Sequence, residues 1–156
     1  MKSDGNPVSL LMADDDPDDR MLTRDALQES EPSSEIDFVE DGEELINYLQ
    51  RRGKYSTLAG KPLPDLILLD LNMPKKDGRE ALMEIKGDPA LRKIPVVVLT
   101  TSNAEEDVHR SYDLGVNSFI VKPVSFESLV TVMRSLARYW FEIVELPYAK
   151  GDNAQR

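Results

Sequence analysis

Val8-Ser9-Leu10-Leu11-Met12-Ala13-Asp14-Asp15-Asp16-Pro17 is the stretch whose reading decides the fold. Its apolar part is short, with Val and Leu prominent, the pattern of a strand buried on both faces, and it stops abruptly at three acids. Pro17 suits the first turn of a helix with Asp16 as N-cap, and Met21, Leu22, Ala26 and Leu27 recur at helical spacing to about Ser30. A doubly buried strand that runs straight into an amphipathic helix is one strand–helix unit of a parallel sheet.

Working outward, the unit repeats. Ile36 to Val39 reads as a second strand, and Asp41-Gly42 opens a helix with apolar positions Leu45, Ile46 and Leu49. Arg51 to Pro64 carries two Gly and two Pro without a period and reads as an exposed loop. Leu66 to Leu69 is a third strand ending at Asp70, followed by a helix from about Arg79 to Lys86. Ile94 to Leu99 is a fourth, ending at Thr100-Thr101-Ser102, and a helix from about Ala104 to Leu114 stops at Gly115, the usual left-handed cap position. Ser118 to Val121 is a fifth, ending at Lys122-Pro123, with a last helix from near Ser125. Five such units predict an α/β class, a doubly wound five-stranded parallel sheet with helices on both faces.

Composition narrows the function. A chain of 156 residues with 40% apolar content builds one sizeable core. Twenty-nine acidic against 19 basic side chains give a net charge of −10, which opposes binding to DNA or to an anionic membrane. The absence of cysteine excludes disulfides, thiolate zinc sites and thiol nucleophiles, and the single histidine, His109, makes no metal cluster alone. No signal-peptide core and no run of eighteen apolar residues occurs, so the expectation is a soluble, cytoplasmic protein.

In doubly wound sheets, ligands gather beyond the carboxyl ends of the strands. That rule brings together Asp14 and Asp15 after the first strand, Asp70 after the third, Thr100 after the fourth and Lys122 after the fifth. Three converging carboxylates repel unless a cation neutralises them, and hard oxygen donors select Mg2+ or Mn2+. A carboxylate beside such a cation can attack phosphorus to give an acyl phosphate, with Lys122 neutralising oxygens and Thr100 donating a hydrogen bond to the phosphoryl group. Taken singly these signals are weak: Asp16, Asp18 and Asp19 read as a solvated helix start, Lys-Pro as a turn and Thr-Thr-Ser as capping.

Jointly, from Val8 to about Leu136, these residues resemble the receiver domains of bacterial two-component response regulators, whose fold is flavodoxin-like. The resemblance implies that Asp70 is the phospho-acceptor and that Asp15 contacts the metal directly while Asp14 acts mainly through water. In Asp70-Leu71-Asn72-Met73-Pro74-Lys75-Lys76-Asp77-Gly78 it implies that Asn72 offers its backbone carbonyl to the metal, with its side chain also facing the pocket. Asp77-Gly78 reads as a structural turn in which Gly permits a positive φ. Thr100 matches the switch hydroxyl, Lys122 the phosphate-binding lysine and Lys122-Pro123 a peptide bond that is often cis in the family. Phe119 falls where the family carries an aromatic coupled to the hydroxyl; a plain core Phe is the competing reading. The long loop around Gly53 to Ser56 and the ending Trp140 to Pro147 further resemble single-domain regulators paired with cyanobacterial and bacterial phytochrome histidine kinases.

These readings assign residues 1–7 to a flexible N-terminus, 8–147 to the receiver domain and 148–156 to a flexible tail, with no segment left for a DNA-binding output domain. The expected role is a phospho-acceptor switch rather than an enzyme, its only chemistry being metal-dependent self-phosphorylation and dephosphorylation. Leu129, Met133, Leu136, Trp140 and Ile143 form one apolar stripe on the last helix, and Phe126, Val130, Ala137, Phe141 and Val144 a second. One face exceeds what the sheet requires, which predicts either packing beneath the chain's own C-terminal residues or a homodimer through this helix and adjoining elements. A magnesium-dependent aspartyl-nucleophile phosphatase would want an acid two residues after Asp70, where Asn72 stands, and a flavin binder would be repelled by Asp14-Asp15-Asp16. A phosphorylation-silent scaffold remains the other alternative, although it need not keep Asp15, Asp70, Thr100 and Lys122 together.

Overall fold

The computed structural model describes residues 7–143. The expected flexible residues 1–6, the tail and the segment from Val144 to Pro147 lie outside the described residues. The elements run β1 (Ser9–Ala13), α1 (Pro17–Ser30), β2 (Glu35–Val39), α2 (Gly42–Leu49), β3 (Leu66–Leu69), α3 (Gly78–Gly87), β4 (Val96–Thr100), α4 (Glu105–Leu114), β5 (Ser118–Val121) and α5 (Phe126–Ala137). All strand pairs are parallel and the order is β2-β1-β3-β4-β5, so the chain steps outward from β1 to β2 and then crosses back to β3. The predicted α/β, doubly wound class is the observed one.

Strand alternation divides the apolar residues into two cores. Leu11, Ala13, Ile67, Leu69, Val96 and Val98 face the layer of α2 and α3, where Leu45, Ile46, Leu82 and Ile85 cover them. Leu10, Met12, Leu66, Leu68, Val97 and Leu99 face α1 and α5, under Leu27, Val130 and Met133. Both faces are therefore dry, which is why β1, β3 and β4 read as unbroken apolar runs.

Four helices begin on side-chain caps: Asp16, Asp41 and Ser125 each accept a backbone N–H, and Asp77 forms a capping box with Glu80. Gly115 caps α4 at φ 104°, as its position predicts. Gly78 departs from expectation, because its φ is not positive. It is required by close approach instead: a Cβ there would lie 2.2 Å from the Asp70 carbonyl oxygen and 2.6 Å from Leu71 Cα.

Two further expectations are corrected. The segment from Arg51 to Pro64 is not wholly irregular, since Gly53–Leu58 forms a 3-10 helix. Tyr55 donates its hydroxyl to Glu44 at 2.7 Å, Tyr48 donates to Asp37 at 2.7 Å, and the two rings pack at 5.0 Å. The second correction concerns the last helix, which continues through a π-helical turn over Arg138–Ile143. Leu129, Met133 and Trp140 of one stripe and Val130, Ala137 and Phe141 of the other are buried in the chain's own core, which takes up most of both stripes among the described residues. On and beside the last helix Phe126, at the start of the second stripe, Tyr139 and Val124 remain exposed, with Val121 on the edge strand and Tyr112 on α4. No helix among the described residues is long and apolar enough to cross a membrane.

Candidate functional site

The strand ladder carries the site residues to one end of the sheet. Beyond the last paired residues, the Asp14 amide donates to Val39, the Asp70 amide to Ala13 and the Lys122 amide to Thr100, each at 2.8 to 3.0 Å. The predicted residues Asp14, Asp15, Asp70, Thr100 and Lys122 therefore project from adjacent strand ends of a rigid sheet.

Asp70 is buried with both oxygens engaged. Oδ1 accepts the Thr100 hydroxyl at 2.6 Å and the Asn72 amide at 3.1 Å, and Oδ2 accepts the Lys122 ammonium at 3.1 Å. Lys122 also donates to Asp14 and to Asp19, both at 2.6 Å. Burial alone would lower the lysine pKa, but the bonds from Asp14 and Asp19 and the charges of Asp14 and Asp70 carry it upward, so it stays protonated. Asp14 is fully buried, and that burial pushes its carboxyl up against the pull of Lys122 and of the Asp16 amide.

Asp19 corrects the sequence reading, which assigned it to a solvated helix start. It lies three residues after the Asp16 cap, so one helical turn brings it over the sheet end and onto Lys122. That spacing was the available signal. Asp16 itself keeps the expected role, accepting the Asp18 amide at 2.9 Å.

Arg79, Ser102 and Asp107 were not singled out by the sequence. Arg79 Nε and Nη2 each donate to the Asp107 carboxylate at 2.7 Å, and Ser102 Oγ donates to the same carboxylate at 2.7 Å. The Asn72 side chain, expected to face the pocket, accepts from Arg79 Nη2 at 3.4 Å. Phe119 is half-buried against the core of the α2–α3 side, paired in register with Val98, two residues before Thr100. Among the described residues no peptide bond is cis, so Lys122-Pro123 is trans here.

Asp14, Asp15 and Asp70 each offer an oxygen within 4.8 Å of the others, with Asp15 exposed and the other two buried. Three hard oxygen donors, open to water on the Asp15 side, fit a small divalent cation that keeps part of its hydration shell. Receiver domains bind Mg2+ or Mn2+ at an acidic pocket, and this cluster is its counterpart.

Comparison with known proteins agrees with this geometry. Residues 10–134 match the response regulator receiver domain. The chain is 42% identical over 150 residues to response regulator Rcp1 of Synechocystis sp., covering 96% of this chain and 100% of Rcp1. Among solved structures, the phosphorylated cyanobacterial phytochrome response regulator RcpA superposes with a TM-score of 0.84 at 42% identity, over 90% of this chain and 99% of that one. The Mn2+-bound form of Rcp1 gives 0.82 at the same identity and coverage. A strand-end cluster of three aspartates, a threonine and a lysine, on this sheet order and with these relatives, makes the chain a member of the response regulator receiver domain family.

Proposed function

We propose that this protein is a phospho-acceptor switch, loaded on Asp70 by a histidine kinase of the phytochrome type and read out through protein contacts rather than DNA. The observation that carries the reading is the Asp70 environment: a buried carboxylate held by Thr100 and Lys122, beside two further acids. In the transfer, an Asp70 oxygen attacks phosphorus and the P–N bond of a phosphohistidine breaks. The electron pair leaves on the imidazole nitrogen, which takes up a proton, and the product is an acyl phosphate. A divalent cation bound by Asp14, Asp15 and Asp70, with the Asn72 carbonyl, supplies positive charge against the phosphoryl oxygens when present. Lys122 supplies the second positive charge, and Asp19 keeps its ammonium aimed at the site.

Thr100 exchanges its bond to Asp70 for one to a phosphoryl oxygen, and Phe119, on the same sheet face, follows it inward. The chemistry is confined to gaining and losing this phosphoryl group, so the chain acts as a switch rather than an enzyme. A cytoplasmic location follows from partnership with a kinase domain. A second copy of the chain is a further partner, through the end of the last helix and the adjoining edge strand, where Tyr139 and Val121 are exposed.

Phosphoramidate with Mg2+ is expected to add one phosphoryl group by intact mass, and Asp70→Asn to abolish the addition. The same contrast is expected with an autophosphorylated phytochrome kinase as donor. A wild-type protein that gains no mass from either donor overturns the acceptor reading.

A further inference from the structure

The Thr100 hydroxyl is bonded to Asp70 Oδ1, and Thr100 leads directly into the chain that follows β4. That chain is restrained at a second point. Ser102, two residues on, has its amide 3.5 Å from Thr100 Oγ1 and its hydroxyl on the Asp107 carboxylate. Asp107 belongs to the first turn of α4 and is clamped by the fork of Arg79 from α3. Arg79 in turn donates to the Leu71 carbonyl at 3.3 Å and to Asn72 Oδ1, which fixes it to the loop that follows Asp70. One guanidinium thus joins the loop after β3 to the loop after β4.

α4 makes this joint decisive. Its N-cap is Ala104, which provides no side-chain hydrogen bond, whereas α1, α2, α3 and α5 are all capped by a side chain. The start of α4 is held across the fold by Arg79 and locally by Ser102, whose hydroxyl donates to Asp107 and accepts the Ala104 amide at 3.5 Å. A bidentate arginine–carboxylate pair is among the stronger polar contacts available to a partly buried site. The Arg79 bond, and after it Ser102, holds the Asp107 carboxyl at about 2, below the ordinary aspartate range.

We propose that Arg79 is a positioning residue: with Asp107 it tethers Ser102, holding the loop after Thr100 in the arrangement that keeps the Thr100 hydroxyl on Asp70, and so setting how readily Asp70 is loaded. The role rests on Asp70 being the acceptor. Loading draws on the fraction of molecules in which the loop has already shifted, so a looser tether raises that fraction and the rate. The Arg79 guanidinium touches neither Asp70 nor the acids around it in the contacts it makes, and its effect is carried through Asp107 and Ser102.

The test compares wild type, Arg79→Gln, Ser102→Ala and the double variant by amide hydrogen exchange without donor and by phosphorylation rate with phosphoramidate and Mg2+. Each single variant is expected to exchange faster over residues 101–107 and to load about fivefold faster, the lower end of ordinary coupling between sites. Because both changes cut one tether, the double variant is expected to load no faster than the quicker single. Exchange unchanged from wild type, loading unchanged or slower in Ser102→Ala, or rates that multiply in the double variant each overturn the proposal. A wild type that takes no phosphate overturns the acceptor reading instead, and the exchange comparison still decides whether the tether exists.

Discussion

Gly78 shows how little room the acceptor loop has. The third helix starts against the backbone of Asp70 and Leu71, so an added methyl would sit inside the Asp70 carbonyl oxygen unless the loop backs away. Gly78→Ala is expected to destabilise the protein by about 3 kcal/mol, the upper end of overpacking penalties, measured by urea unfolding. A loss under about 1 kcal/mol would mean that the loop yields freely and that Gly78 does not fix Asp70. At this scale the sequence disclosed the residues that end strands, because a parallel sheet delivers Asp14, Asp70, Thr100 and Lys122 to one edge whatever the helices do. It concealed Asp19 and Arg79, whose partners Lys122 and Asp107 lie 103 and 28 residues away. Long-range polar pairs leave no period, and an acid in a first helical turn reads the same whether it meets solvent or a lysine.

At the scale of elements, the strands were legible because burial on both faces removes polar residues from them. The 3-10 helix at Gly53–Leu58 was not, since none of its residues is buried and it is tied to α2 by side chains alone, Tyr55 on Glu44 and Tyr48, and Lys54 on Glu44. The last helix misled for a different reason. Its two stripes suggested a surplus face, yet α1 packs beside it and the π-helical turn brings Trp140 and Phe141 back onto the same core. A dimer through this region would use the exposed residues that remain, Val121, Val124, Phe126 and Tyr139. Sedimentation of the wild type at high concentration is expected to show a dimer, and Tyr139→Asp with Val121→Asp to shift it to monomer. A wild type that stays monomeric with and without phosphate would remove the second copy from the partners of this chain.

The molecule as a whole carries a net charge of −10, and of the four carboxylates at the sheet end, from Asp14, Asp15, Asp19 and Asp70, three share one ammonium. Lys122 engages Asp14, Asp19 and Asp70, while Asp15 is the exposed member of the acidic cluster. A divalent cation that binds the folded cluster and not the unfolded chain stabilises by mass action, about 2.7 kcal/mol at a hundredfold excess over Kd. For a domain of this size that corresponds to a rise in Tm of about 5 to 10 °C. Asp15→Asn is the informative control, because it removes a carboxylate from the cluster without opening a cavity in the core. The variant is expected to melt at or slightly above wild type in metal-free buffer, since repulsion within the cluster falls, and to lose most of the Mg2+ shift. The two effects have opposite signs, so a general loss of fold integrity cannot imitate them. Equal Mg2+ shifts in wild type and Asp15→Asn, followed by calorimetry or thermal circular dichroism, would exclude Asp15 from the metal site and leave the cation to Asp14 and Asp70 alone.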